Sequence, residues 1–87
     1  MKNENAYSQE SVGERIKAER KALKFSQDDF VEKYGKELGI SSRTTLYKWE
    51  KGEGEPSAWT ILKLSNIFGC DPGYLIGEYA CKTRAAT

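Results

Sequence analysis

Four times along this 87-residue chain a helix-capping side chain is followed, after a short periodic run of apolar residues, by a glycine. The intervals run from Ser26 to Gly39, from Ser41 or Ser42 to Gly52, from Ser57 to Gly69, and from Asp71 to Gly77. A serine or aspartate oxygen can accept the free N–H groups that open a helix, and glycine can take the left-handed backbone that closes one, so each interval reads as one short helix. Proline sharpens two of the starts: Pro56 precedes Ser57, and Pro72 takes the first helical position after Asp71. No segment reads as a strand, and the punctuation predicts an all-α chain.

Upstream of Ser26, apolar residues recur at Val12, Ile16 and Leu23 on one helical face, which predicts a first helix from Ser11 to about Lys24. In the second helix, Asp28 and Asp29 sit in the first turn, where carboxylates suit the macrodipole, and Phe30, Val31, Tyr34 and Leu38 form the inner face. Gly35 costs about 1 kcal/mol relative to alanine inside a helix, so this helix ends there or runs on to Leu38; the longer form is expected. The third helix covers Arg43 to Lys51, and "GEGEPS" is a loop. The fourth, "AWTILKLSNIF", is the most apolar and offers Ile61, Leu62, Leu64, Ile67 and Phe68 as the centre of the core. A fifth carries Tyr74, Leu75 and Ile76. Residues 1–7 and 80–87 lack caps and periodicity and are expected to fray, leaving one domain over 8–79.

Composition excludes more than it assigns. A chain this short builds one core and neither two lobes nor a deep cavity. No apolar run approaches the roughly 20 residues of a membrane span, and "MKNENAYSQE" lacks the apolar centre of a signal peptide, so a cytoplasmic location without membrane partners is expected. With two cysteines and no histidine, neither a disulfide scaffold nor a four-ligand zinc site can form within one chain. Cys70 reads as a small buried apolar residue and Cys81 as a thiol in the tail. No metal, no cofactor and no catalytic residue is expected: a histidine base is absent, and no glycine-rich loop joins a strand to a helix.

Net charge is only +1, yet the cations are sorted. Residues 11–24 hold Arg15, Lys17, Arg20, Lys21 and Lys24 against Glu14 and Glu19, and residues 40–52 hold Arg43, Lys48 and Lys51 against Glu50. Such sorting gives a nearly neutral molecule a one-sided field that an anionic polymer would sense. Two charges fall on apolar stripes: Arg20 lies with Ile16 and Leu23, and Glu50 lies one turn from Leu46. A lone charge taken out of water costs several kcal/mol, so Arg20 and Glu50 are expected to pair and fix the third helix against the first, with Trp49 at the margin of the core. The opposite side of the third helix then carries Arg43, Thr44, Tyr47, Lys48 and Lys51, without a carboxylate. Guanidinium and ammonium groups can reach guanine O6 and N7, and threonine can bond a base edge or meet a thymine methyl, so this face suits a major groove.

"GERIKAER", "SQDDF", "KWEKG", "PS" and "ILKLSNIFGCD" follow one another in an order that resembles the helix-turn-helix family of phage Cro and repressor proteins, the XRE family, over about residues 12–77. The resemblance implies a compact five-helix phage-repressor-like domain whose second and third helices form the DNA-reading unit. It implies double-stranded DNA as partner and a homodimer on paired half-sites. By position it assigns base contacts to Arg43, Thr44 and Lys48, with Tyr47 as an addition, and phosphate contact to Gln27 beside the free N–H groups of the second helix, with Ser26 at its cap. The family's helix-1 arginine and helix-3 glutamate commonly form the same salt bridge inferred for Arg20 and Glu50. This chain is about five residues longer between Gln27 and the third helix than the common pattern. It also places Glu53 and Glu55 in a loop that is often basic, so Lys51, Ser57 and Lys17 are expected to supply more of the backbone contact. Trp59, Asp71, Pro72 and Tyr74 form the candidate dimer surface, unless Tyr74 and Leu75 close the core instead. The function implied is a sequence-specific, repressor-like regulator; an antitoxin-like or accessory protein-interaction module is the alternative.

Overall fold

The computed structural model describes residues 9–77, which fold into five helices with no strand among them: α1 Gln9–Ala22, α2 Gln27–Leu38, α3 Arg43–Lys51, α4 Ala58–Phe68 and α5 Pro72–Ile76. The expected frayed ends and Cys81 lie outside the described residues. Ser26 Oγ accepts the Asp29 N–H at 3.1 Å, and Ser57 Oγ accepts the Thr60 N–H at 3.2 Å, so α2 and α4 are capped by side chains. Ser42 and Asp71 occupy the corresponding positions of α3 and α5 without such a bond. Gly39 and Gly52 close α2 and α3 at φ of 78° and 79°, the left-handed region in which a side chain is strained.

The first helix differs from the sequence expectation at both ends and begins at Gln9, two residues before Ser11, whereas the second takes the longer form that was expected. The first helix stops at Ala22, two residues before Lys24, because Lys24 itself turns left-handed at φ 70° and the Phe25 N–H reaches back to the Arg20 carbonyl at 3.3 Å. Leu23 therefore leaves the apolar stripe and is 39% exposed. The second helix runs through Gly35 to Leu38. A Cβ on Gly35 would stand 2.6 Å from the Ile40 carbonyl oxygen, so this glycine gives room for the α2–α3 connection to fold back and does not end the helix.

Buried Ile16, Phe30, Leu38, Leu46, Trp49, Leu64, Cys70 and Leu75 make one core. The rings cluster on Phe30, which lies 5.7 Å from Phe68, 5.1 Å from Tyr34 and 6.1 Å from Phe25 between centroids. Trp49 is inside the core and not at its margin, whereas Leu62, expected inside, is 44% exposed.

The most extensive helix contact joins α1 to α3. Gly13 allows it: a Cβ there would stand 2.6 Å from the Glu50 carbonyl oxygen and closer still to that of Trp49, so the two backbones touch where α1 crosses α3. About two turns further along α1, Arg20 Nε donates to Glu50 Oε2 at 2.7 Å and Arg20 Nη2 donates to Oε1 at 3.0 Å. The two side chains are 7% and 2% exposed. Arg20 Nη1 also donates to the Phe25 carbonyl at 2.8 Å, fastening the α1–α2 turn with the same guanidinium. Breaking a buried pair from one side strands the other charge, so Glu50→Ala lowers the unfolding free energy by about 3–5 kcal/mol in urea titration. The double change Arg20→Met, Glu50→Leu costs less than the single one, since no charge is then left buried without a partner.

Candidate nucleic-acid interface

With Leu46, Trp49 and Glu50 committed to the interior, α3 has one orientation open to it. Arg43, Thr44, Tyr47, Lys48 and Lys51 are all exposed on its outer side, and no acid of α3 accompanies them. Tyr47 is 46% exposed and its ring lies under the Lys51 ammonium, 5.5 Å from Nζ to the centroid. That contact sets a flat aromatic ring beside a cation on the outer side of α3. The start of α2 lies against the start of α3, and Gln27, Arg43, Thr44 and Tyr47 line the shallow cleft between them. Polar donors, a threonine methyl and an aromatic edge thus meet in one concavity.

Gln27 enters the cleft on terms set by the core. Its Nε2 donates to Glu50 Oε1 at 3.0 Å, the oxygen that also accepts from Arg20. A carboxylate only accepts, so the amide nitrogen must face inward, and the carbonyl oxygen with the second N–H remains for other partners. A phosphate also only accepts. Gln27 can therefore offer it one N–H, and its carbonyl is suited instead to a donor such as an exocyclic base amine. Sequence reasoning placed Gln27 at the interface but missed its bond to Glu50, because nothing local in "SQDDF" shows which residue of α3 comes beneath it.

A second feature escaped the sequence as well. Arg43 Nε stands 3.7 Å from Asp28 Oδ1, with both side chains largely exposed. Asp28 reads locally as a first-turn acid suited to the α2 dipole, and only the packing of α2 on α3 brings it to the outer face of α3. Of the remaining sequence-named residues, Ser26 caps α2 beside the cleft, while Lys17, Lys51 and Ser57 are exposed but do not line it.

The candidate dimer surface divides into two. Trp59 is 74% exposed and, with Leu62, Lys63, Ser65, Asn66 and Pro72, lines a groove along α4 and the start of α5. Tyr74 does not join this edge. It packs against the core and lies under the Arg15 guanidinium of α1, 5.3 Å from the ring centroid. Asp71 is half-buried and outside the groove lining. Burial raises the Tyr74 phenol above its ordinary 10.0, the Glu19 carboxylate adds to the rise through its charge and a hydrogen bond, and Arg15 opposes it.

Comparison with known proteins supplies the relatives of this arrangement. The helix-turn-helix family model matches residues 16–75. The chain is 37% identical over 75 residues to the repressor protein C2 of Salmonella phage P22, covering 86% of this chain and 32% of that protein. It is 33% identical over 66 residues to the transcriptional regulator DicA of Escherichia coli K12, covering 76% and 45% of the two chains. The transcriptional regulator ImmR of Bacillus subtilis is 32% identical over 68 residues, 78% of this chain and half of that one. Among solved structures, the P22 c2 repressor in complex with a synthetic operator superposes with a TM-score of 0.62 at 40% identity, over 75% of this chain and 91% of that one. This chain spans about a third to a half of the length of the curated relatives it matches.

Two measurements check the site's physics without DNA. Gln27→Glu sets a second carboxylate against Glu50 and lowers stability by about 2 kcal/mol or more, the scale of a hydrogen bond to a charged group replaced by like-charge contact; urea titration reads it. Tyr74 favours its neutral form when folded, so its contribution is complete below the unfolded value near 10 and is lost as pH rises through the higher folded value. The unfolding free energy thus falls above about pH 10, and Tyr74→Phe makes that fall shallower.

Proposed function

Since this chain belongs to the helix-turn-helix family, we propose that it is a sequence-specific double-stranded DNA-binding regulator, repressor-like in action, that occupies an operator with α3 in the major groove. The observation that carries the reading is the acid-free outer face of α3, held outward by the buried Arg20–Glu50 pair behind it. Arg43 and Lys48 meet base edges, Thr44 offers a hydroxyl and a methyl, and Tyr47 adds an aromatic edge. Free N–H groups at the start of α2 take a phosphate between Ser26 and Gln27, and Lys51, Ser57 and Lys17 add backbone contacts. The likeness to an operator-bound repressor at 40% identity supports the same use of the fold.

Glu53 and Glu55 stand directly after α3 and oppose phosphate, which keeps the affinity of one copy modest. A homodimer on paired half-sites restores occupancy by making the second contact intramolecular. The exposed Trp59 edge, with Leu62 and Pro72, is the surface suited to joining the copies. The site of action is the cytoplasm, and among the described residues no helix is long and apolar enough to cross a membrane. The chemistry of the interface is binding and not catalysis.

Selection from randomised duplexes, followed by titration at several salt concentrations, tests the function. Lys48→Ala costs about 1–3 kcal/mol on the selected duplex and relaxes preference at one or two positions, whereas Lys51→Ala weakens all duplexes evenly and reduces the salt slope by about 1. A folded protein whose duplex affinity ignores both changes, while a host protein binds it tightly, would instead be an antitoxin-like or accessory interaction module.

A further inference from the structure

We propose that Asp28 is a specificity-determining positioning residue: it holds the Nε side of Arg43, so that Arg43 reads guanine end-on through its two terminal nitrogens. The inference rests on the DNA-reading function above and goes beyond it by naming the base and the residue that sets its choice.

Arginine can meet the O6 and N7 of guanine in two ways, with both Nη groups or with Nε and one Nη. On the recognition face of this protein the Nε edge already has a neighbour, Asp28 Oδ1 at 3.7 Å. That separation is an ion pair and too long for a hydrogen bond, so the carboxylate steers the guanidinium without consuming a donor. Steering still disfavours one mode. In the side-on approach the Asp28 carboxylate would face the electron-rich O6 and N7 edge of the same base, and the two would repel. The end-on fork has no such conflict and points both terminal nitrogens away from α2.

The surroundings confine Arg43 further. Gln27, the residue before Asp28, is tied through its amide nitrogen to Glu50, which fixes the first turn of α2 relative to α3. Thr44 and Tyr47 close the other side of the cleft. Asp28 makes the only salt bridge to Arg43 among the described residues, and Asp29, next in sequence, carries the same charge in the same helical turn. It therefore serves as an internal control for the general effect of an acid at the start of α2.

Randomised-duplex selection with the unaltered chain and with Arg43→Ala, Asp28→Ala and Asp29→Ala separates the possibilities, with circular dichroism confirming that each variant is folded. The expected result has three parts. Arg43→Ala abolishes a guanine preference at one position of the half-site, a loss of roughly five- to hundredfold. Asp28→Ala weakens that preference roughly two- to fivefold at the same position and nowhere else, the scale of an exposed ion pair. Asp29→Ala leaves it unchanged. A guanine preference that survives Asp28→Ala intact overturns this inference alone, as does an equal loss with Asp29→Ala or a preferred base other than guanine at the Arg43 position. If the unaltered chain selects no base at all, the DNA-reading function falls, and this inference with it.

Discussion

A carboxylate with 2% of its side chain exposed has to be met by a cation, and Glu50 is met by Arg20 through two hydrogen bonds. The remaining polar geometry of the helix-turn-helix radiates from that pair. The same guanidinium holds the Phe25 carbonyl in the α1–α2 turn, and the same carboxylate holds the Gln27 amide at the start of α2. Three elements thus share one charge pair. Such a pair adds little stability compared with an apolar substitute, because desolvation offsets most of the attraction; what it adds here is orientation. Slippage of α3 by one residue would break the geometry of both Arg20–Glu50 hydrogen bonds.

Orientation is what the outer face of α3 needs. Its cations are useful to an anionic partner only if they share one side, and they share it because the single acid of the helix is turned to the core and neutralised there. A chain of net charge +1 can in this way present a cationic ridge. Acids do approach the ridge at its two ends, Asp28 from α2 and Glu53 with Glu55 from the following loop. On the proposed function, carboxylates so placed weaken indiscriminate attraction to phosphate and leave a larger share of the binding energy to base contacts.

Helix α1 contributes by proximity as well as by charge. Gly13 lets its backbone touch that of α3, and the contact brings Arg20 within reach of Glu50. Neither the expected stripe of α1 nor its charge run marks Gly13 as special, since an exposed-looking glycine between Val12 and Glu14 carries no local signal of what will cross it. Leu23 shows the converse. It fits the stripe by spacing but lies past the helix end, where the left-handed Lys24 turns the chain away. Of the two places the sequence leaves open for Tyr74, a dimer surface beside Trp59 or the core, the fold takes the core and sets the ring near Arg15 and Glu19 of α1.

Local chemistry was legible in the residues themselves. Caps at Ser26 and Ser57, glycine stops, the extents of α3, α4 and α5, and the outward set on α3 all follow from hydrogen bonding and periodicity within a few residues of each other. Even the Arg20–Glu50 partnership could be inferred across thirty positions, because each charge stood on an apolar stripe and neither could be buried alone. Only tertiary packing decided which residues of α2 meet which residues of α3. Gln27 beneath the cleft, Asp28 beside Arg43 and the close approach at Gly13 depend on the crossing of helices, which is set by the fit of all the buried side chains at once and leaves no trace in the spacing of any single segment.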